Sequence, residues 1–537
     1  MYVEPNTNIR ILRQAPVDPE YRNTLLFQTD IQQTNYFMGL TKYNLANYTY
    51  QRVQKGVCRV GIIAENLYDC NYMMFQNNAF GGKWFYAFID NVEYINNTTS
   101  EIRFTIDVLQ TWRHYLDWEF NSVFVEREHS ATDIIGENIT PESIETGEYV
   151  FNDYTNLKTS DNKTLSEYAI IVAIVEVVGE EGEEHPVAEG QLYDGVYGGA
   201  KLFAYSADST GVQKVNDKID EYVEAPDSIL CMYMCPAVLL GNAINTDLPI
   251  SYGASAVLNT FYFDAITGVE ALDGYVPKNK KMYTYPYNFL HVDNANGEDL
   301  ALRYEFFHDL APEAVLYGCI TQPIQVVFKP SGYKGLNKHS ELGGHHTLQT
   351  ESLTLQNYPM CSWNVDAWEA WVAQNSIPTM LGLISRGVGI GAMASSKKVP
   401  YAGMISGSVG ATAGLLSEMY SASIRADISK GNFSCGNANF ARKFHQFYGG
   451  RCSVTHQVAQ IIDNYFTKFG YATNLVKLPN LFTRPNWNYI KTSGCTIIGA
   501  VPSDDEKKIC EIFDNGITCW HNASTFGDYS QDNSPTP

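Results

Sequence analysis

Ile102, Phe104, Ile106 and Val108 alternate with Glu101, Arg103, Thr105 and Asp107, a period of two that a helix cannot bury on one side. Residues 56–64, 83–95 and 121–128 read in the same way. Asn77-Asn78, Gly81-Gly82 and Asn96-Asn97 mark turns around the run from Trp84 to Ile89. Aromatic and β-branched side chains suit half-buried pleated surfaces, and the chain carries 36 Tyr and 26 Phe. The expectation is a mainly β fold in which these four strands close a barrel or a sandwich.

The run AIIVAIVEVV, beginning just after Tyr168, is apolar enough for a strand buried on both faces. It ends at the acidic turn GEEGEEHP, residues 179–186, whose spacing matches no calcium loop. From there to about Asn357, short apolar runs at 229–240 and 314–328 predict a second β-rich unit. Helix signals are confined to the last third. Val454, Val458, Ile461, Ile462, Tyr465, Phe466 and Phe469 recur at helical spacing before Gly470, and residues 363–375 place Ala367, Trp371 and Gln374 on a stripe beside Trp368 and Val372.

Charge excludes one large class. With 37 basic against 59 acidic residues and a formal net charge of −22, the chain lacks the basic surplus with which proteins hold nucleic acid. The N-terminal stretch shows no basic region followed by an apolar one, so a cytosolic origin is expected. The 11 cysteines are scattered. Cys231 and Cys235 lack the spacing of a metal site, which points to reduced, mostly buried thiols.

The search for chemistry finds no phosphate loop, no HExxH and no GxSxG; Gly253-Ala254-Ser255-Ala256-Val257 lacks the closing glycine. Gly387-Val388-Gly389-Ile390-Gly391 has neither the spacing nor the downstream acidic residue of a dinucleotide site. His345 and His346 beside Glu341 sit in a Gly-rich stretch and read as exposed polar residues. No catalytic, cofactor-binding or metal-ligating set is expected. Carboxylate pairs for glycoside cleavage carry no linear signature, so that chemistry stays open.

One segment breaks the pattern of the chain. Residues 378–416 form two apolar arms, 378–394 and 401–416, around the tip Ser395-Ser396-Lys397-Lys398-Val399-Pro400. As a helix each arm would span about 25 Å, short of the ~30 Å hydrocarbon core of a bilayer. Its Gly and Ala content favours close packing of segments over a permanent anchor. Three readings stand: a buried helical hairpin, a Gly-rich linker, or a membrane-active element sheltered until needed. The candidate membrane-active residues are Met380, Leu381, Leu383, Ile384, Val388, Ile390, Met393, Lys397, Lys398, Val399, Tyr401, Met404, Ile405, Val409, Leu415 and Leu416.

Several strings resemble a known family. They are Asn8-Ile9-Arg10-Ile11-Leu12 with Tyr21-Arg22-Asn23-Thr24, Met74-Phe75-Gln76-Asn77 with the run from Lys83 to Phe88, and the run from Ile106 to Trp112 ending at Arg127-Glu128-His129. Near the C-terminus, Phe469-Gly470-Tyr471, Lys477-Leu478-Pro479-Asn480-Leu481 and Phe513 to Thr518 with Trp520-His521 follow in order. Together these are similar to the tail knob or major tail proteins of small short-tailed bacteriophages, the podoviruses of the Picovirinae and Salasmaviridae type. The region from about Tyr154 to Asn357 carries no such string.

The resemblance implies a homohexameric distal tail tube of β-barrel domains, contacting the collar and tail tip proteins, through which genomic DNA passes without tight binding. It also implies a hydrophobic loop that plugs the tube and enters the host membrane at genome ejection, here residues 378–416. Cofactors are absent from the family's scheme. The expected location is the virion, after assembly in the host cytoplasm. The expected domains are an N-terminal barrel at 1–165, a β-rich insertion at 166–355 and a C-terminal part at 356–537. The alternative is a receptor-binding or glycan-cleaving tail protein whose activity lies in the middle region.

Overall fold

The computed structural model describes residues 6–48, 56–158, 163–175, 192–193, 196–197, 200–221, 228–251, 259–263, 270–334, 351–362, 433–434 and 438–535. The protein is mainly β, and it divides into two compact units. The first combines Met1–Gly147, Gly274–Met282 and His456–Pro537; the second combines Glu148–Asp273 and Tyr283–Thr455.

The first unit contains a six-stranded antiparallel sheet in the order Thr41–Tyr48, Thr7–Arg13, Cys70–Gln76, Trp84–Asn96, Thr99–Ile106 and Val57–Val60. Ser100, Ile102 and Phe104 are buried while Arg103 and Thr105 face outward, as the alternation requires. Asp107 departs from that alternation: it is buried just past the end of the strand. Its Oδ1 accepts the Gln110 backbone N–H at 3.1 Å and starts the short helix Val108–Trp112. The helix redirects the chain, so the four strands expected together divide between two sheets. Val123–Glu128 joins a five-stranded sheet in the order Asn23–Leu25, Ile517–Trp520, Trp487–Ser493, Val123–Glu128 and Tyr471–Lys477. In it a strand from near residue 23 runs parallel to one from residue 517, which joins the two ends of the chain in one unit.

Helices are not confined to the last third. Asp30–Gly39 and Ser209–Glu221 also form, with only Gln33 and Phe37 buried in one, and Gly211 and Val215 in the other. In Asp30–Gly39 so narrow a buried stripe leaves almost no periodic signal. The first of these is set by local chemistry: Thr29 caps it by accepting the Gln32 N–H, with Asp30 in its first turn. Ser503–Asn515 opens on Asp504, Asp505 and Glu506 and buries Ile509, Ile512 and Phe513 at helical spacing. The expected helix is His456–Phe469, but its buried stripe is Ala459, Ile462, Asp463 and Phe466, which leaves Ile461 exposed. Gly470 ends it at φ +62, where a Cβ would lie 2.2 Å from the Glu128 carbonyl oxygen.

Buried carboxylates join distant segments of this unit. Asp463 accepts the Lys278 and Asn279 backbone N–H groups at 2.8 and 3.0 Å and the Tyr275 hydroxyl at 2.8 Å, which pins residues 274–282 to the helix. Glu142 accepts Lys281 Nζ at 2.6 Å and the Ala472 N–H at 2.8 Å, and pairs with Arg127. Glu128 accepts both Asn480 nitrogens, at 2.9 and 2.8 Å, and pairs with Lys477. Charge-assisted bonds of this kind offset the desolvation of a buried carboxylate.

Three larger antiparallel sheets lie in the second unit, beside the two-stranded pair Leu192–Tyr193 and Val196–Tyr197. Tyr149–Asn156, Tyr448–Val454, Asn288–Asp293 and Asp299–Leu302 form one; Asn259–Tyr262, Glu313–Cys319, Gln325–Ser331 and Leu353–Leu355 form another. The third runs Lys201–Ser206, Tyr168–Ile174, Ile229–Pro236, Met360–Ser362 and Phe433–Ser434. Ala169 to Ile174 are all buried, which accounts for the uninterrupted apolar run on a strand with neighbours on both sides.

Candidate functional site

The apolar segment 378–416, with all of its candidate membrane-active residues, lies outside the described residues, as do residues 363–375, Glu341, His345 and His346. Its point of departure is described. Met360–Ser362 pairs with Ile229–Pro236 through Cys231↔Ser362, Met232↔Cys361 and Tyr233↔Met360. On its other side it pairs with Phe433–Ser434 through Met360↔Ser434 and Cys361↔Phe433. The chain therefore leaves the sheet after residue 362 and returns at residue 433 on the adjacent antiparallel strand. The intervening stretch is an excursion whose two stems are hydrogen-bonded neighbours at a sheet edge.

An aromatic group lies beside the stems in sequence and packs into the same unit. Tyr358 precedes the outgoing strand, and Phe440 and His445 follow the returning one. Phe440 packs at a tilt against Tyr168, ring centres 4.4 Å apart, and lies 6.4 Å from Tyr358, while His445 meets Tyr358 edge-on at 4.7 Å. Phe440 and His445 are fully buried and Tyr358 nearly so. Such ring pairs add to the stabilisation from burial alone.

The polar atoms of this group are unmet. Among the described residues neither ring nitrogen of His445 has a hydrogen-bond partner, nor do the hydroxyls of Tyr168 and Tyr358. Burial pushes His445 down to about 4 and both tyrosines upward, so all three are neutral at pH 7. The stem region is neutral, apolar in character and poor in hydrogen bonds. It is suited to anchoring a chain segment rather than to proton transfer.

Elsewhere in the second unit, Asp293 and Asp299 are cross-strand partners. Tyr154 donates to Asp293, and His291 contacts the Tyr154 hydroxyl at 3.3 Å and Asp299 at 3.2 Å. Burial, with Asp299 adding to it, raises Asp293 above the usual carboxylate range. Both carboxylates are engaged with their neighbours. Among the described residues no group of three or more His, Cys, Asp or Glu is arranged to hold a metal, and no helix is long and apolar enough to cross a membrane. The described cysteines are buried except at Cys231 and Cys510.

The strings singled out in the sequence supply much of the first unit's internal bonding. Asp107 accepts the Tyr72 hydroxyl at 2.8 Å, and Gln110 receives Gln33 Nε2 at 2.6 Å. His129 accepts the Tyr489 N–H on Nδ1 at 2.8 Å and donates from Nε2 to the Thr467 carbonyl at 3.1 Å.

Comparison with known proteins bears on both units. The family described as Bacillus phage phi29, Tail knob protein gp9, C-terminal domain matches residues 259–534, and that described as Caudoviral major tail protein N-terminus matches residues 5–117. The chain is 26% identical to the tail knob protein gp9 of Bacillus phage phi29, 25% to that of phage PZA and 24% to that of phage B103, over 98% of both chains in each case. Among solved structures, the bacteriophage C1 tail knob protein, gp12, shares the fold at a TM-score of 0.63. It is 15% identical, with 99% of this chain and 100% of that one covered.

Proposed function

Because the chain belongs to the family of phage tail knob proteins, whose C-terminal domain spans residues 259–534, we propose that it builds a hexameric knob that conducts the genome and carries releasable apolar loops. It is a structural protein of the virion tail and not an enzyme. In the proposed assembly the β domains form a ring at the distal end of the tail, in contact with other tail proteins. Residues 378–416 of each copy close the channel and later enter the host membrane as a pore for DNA.

Charge supports the conduit. Six copies would carry about −132 formal charges, and an acidic lumen repels phosphate instead of exchanging it for counterions. DNA slides best where it does not bind. Apolar arms packed together in the channel would be held by burial worth about 25 cal/mol per Å², without covalent links. Lipid offers the same arms an equivalent apolar environment, so membrane contact shifts the balance towards release.

The observation that carries the reading is the registered pairing of Met360 and Cys361 with Ser434 and Phe433. An excursion whose stems are tied to each other can move its distal part while the sheet at its root stays intact. Replacing residues 378–416 with a short Gly-Ser connector tests this. Rings are expected to persist in electron micrographs while dye release from liposomes is lost; unchanged leakage would remove the membrane role, and loss of rings would place the segment in the assembly itself.

A further inference from the structure

A cavity of about 10 Å³ lies beside the helix Val108–Trp112, lined among others by Leu109, Arg113, His114, Trp118, Phe513 and Cys519. Three nitrogens on its lining residues are buried without a protein partner: Arg113 Nε, His114 Nε2 and Trp118 Nε1. Trp118 is 1% exposed. A buried polar atom left unmet costs about 1–3 kcal/mol, so three on the lining residues of one small cavity call for a common partner.

The remaining polar groups of these side chains fix the roles of the three atoms. Arg113 Nη1 donates to the Trp118 carbonyl at 3.0 Å, and the guanidinium carbon lies 5.0 Å from the centre of the Trp118 ring. Arg113 Nε and the Trp118 indole nitrogen can only donate. His114 donates its other ring nitrogen to the Phe27 backbone carbonyl, which leaves Nε2 as an acceptor in the neutral ring. Burial and the neighbouring Arg113 charge both hold His114 below its ordinary value, against weaker opposing effects of Asp30 and Asp117.

We propose that this cavity is a specific site for one buried water molecule, which accepts from Arg113 Nε and Trp118 Nε1 and donates to His114 Nε2. The volume suits it, since a cavity of roughly 10–15 Å³ on this measure admits about one water. The bonding suits it too, because internal waters typically make about three hydrogen bonds. A halide matches less well. It would need three donors, hence a protonated His114 beside Arg113, in a place where burial disfavours that charge. The water ties the end of the helix to Trp118, which packs edge-on against Phe120 and Phe513 in the same core.

Electron cryo-microscopy of the full chain, at a resolution that shows other internal waters, tests the site. The expected result is one ordered peak within hydrogen-bond distance of all three nitrogens. A cavity without density, or three nitrogens paired with protein groups, overturns the proposal. An anomalous bromide peak at this position in crystals grown with bromide overturns it in favour of a halide. Trp118→Phe should remove or displace the peak with Phe120 and Phe513 unmoved. If that variant does not fold, His114→Leu serves the same purpose, and an unchanged peak in either variant contradicts the assigned partners.

Discussion

Two regions of the molecule, the carboxylate network of the first unit and the root of the excursion in the second, treat buried polarity in opposite ways. In the first, the carboxylates of Asp463, Glu142 and Glu128 lie in the interior and each receives several donors from segments remote in sequence. At the root of the excursion in the second, His445, Tyr168 and Tyr358 are buried and their polar atoms go unmet. A satisfied network fixes one arrangement, because breaking any part leaves a buried charge alone. An aromatic cluster without hydrogen bonds is held by packing only, which tolerates displacement better. The difference fits the proposed roles, a scaffold on one side and the root of a releasable segment on the other.

The comparison is most exposed at Asp463. Asp463→Ala leaves the Lys278 and Asn279 N–H groups without an acceptor and is expected to lower stability by about 3 kcal/mol or more, read as a fall in the urea midpoint at unchanged slope. A loss below about 1 kcal/mol would deny the network its structural weight.

Lys83 is, with Arg113, His114 and Trp118, one of the first unit's buried groups outside that carboxylate network. Its Nζ has no hydrogen-bond partner and lies 3.0 Å from the centre of the Trp112 ring, with Tyr115 and Phe85 at 4.4 and 4.6 Å. Burial lowers it to about 7, with Asp505 opposing. Below that pH both states carry the charge and the folded protein bears its full desolvation cost; between about 7 and 10.5 the folded state alone is neutral, and stability rises. The three rings offset part of the cost. Lys83→Met is therefore expected to stabilise the protein by about 1–2 kcal/mol at pH 6, with the gain shrinking as pH rises. Thermal melting at pH 6 and within the window above about 7 reads this out, and a destabilised variant at pH 6 would mean that the rings outweigh burial.

A smaller effect is expected at His445. Its folded value of about 4 lies below the ordinary 6.5, so the unfolded chain binds more protons between these values and stability falls as pH drops through that window. His445→Phe should flatten this acid dependence and raise stability at pH 5 by about 1 kcal/mol. His129 and His521, also lowered by burial, keep their share. An acid profile identical to that of the unaltered protein would show that His445 is protonated in the folded state at no cost. The smallest effect is set by the exposed pair Arg103 and Glu93, where Arg103→Ala should change stability by less than about 0.5 kcal/mol.

What the sequence disclosed follows from the range of its signals. The strands around Ile102 and Phe104 and the buried run after Tyr168 were legible because their periodicity is local. The helix before Gly470 was legible for the same reason, although its buried stripe centres on Asp463, a residue that hydrophobic spacing does not select. Asp30–Gly39 stayed hidden because its buried face holds only Gln33 and Phe37. Glu128 and Asp107 sit inside strings that drew attention, but their roles depend on partners far along the chain, Asn480 and Tyr72. The root of the excursion had no linear signal at all: strands of three and two residues, Met360–Ser362 and Phe433–Ser434, are too short to show a period.

The central claim is that the stems stay paired while the apolar segment leaves, and a cross-link across them tests it most directly. Met360→Cys with Ser434→Cys places two thiols at partnered positions of adjacent antiparallel strands, a separation that a disulfide spans. Liposome leakage by the oxidised double variant is expected to equal that of the reduced one. Leakage abolished on oxidation and restored by reductant would contradict the account, because release would then require the root of the excursion to open.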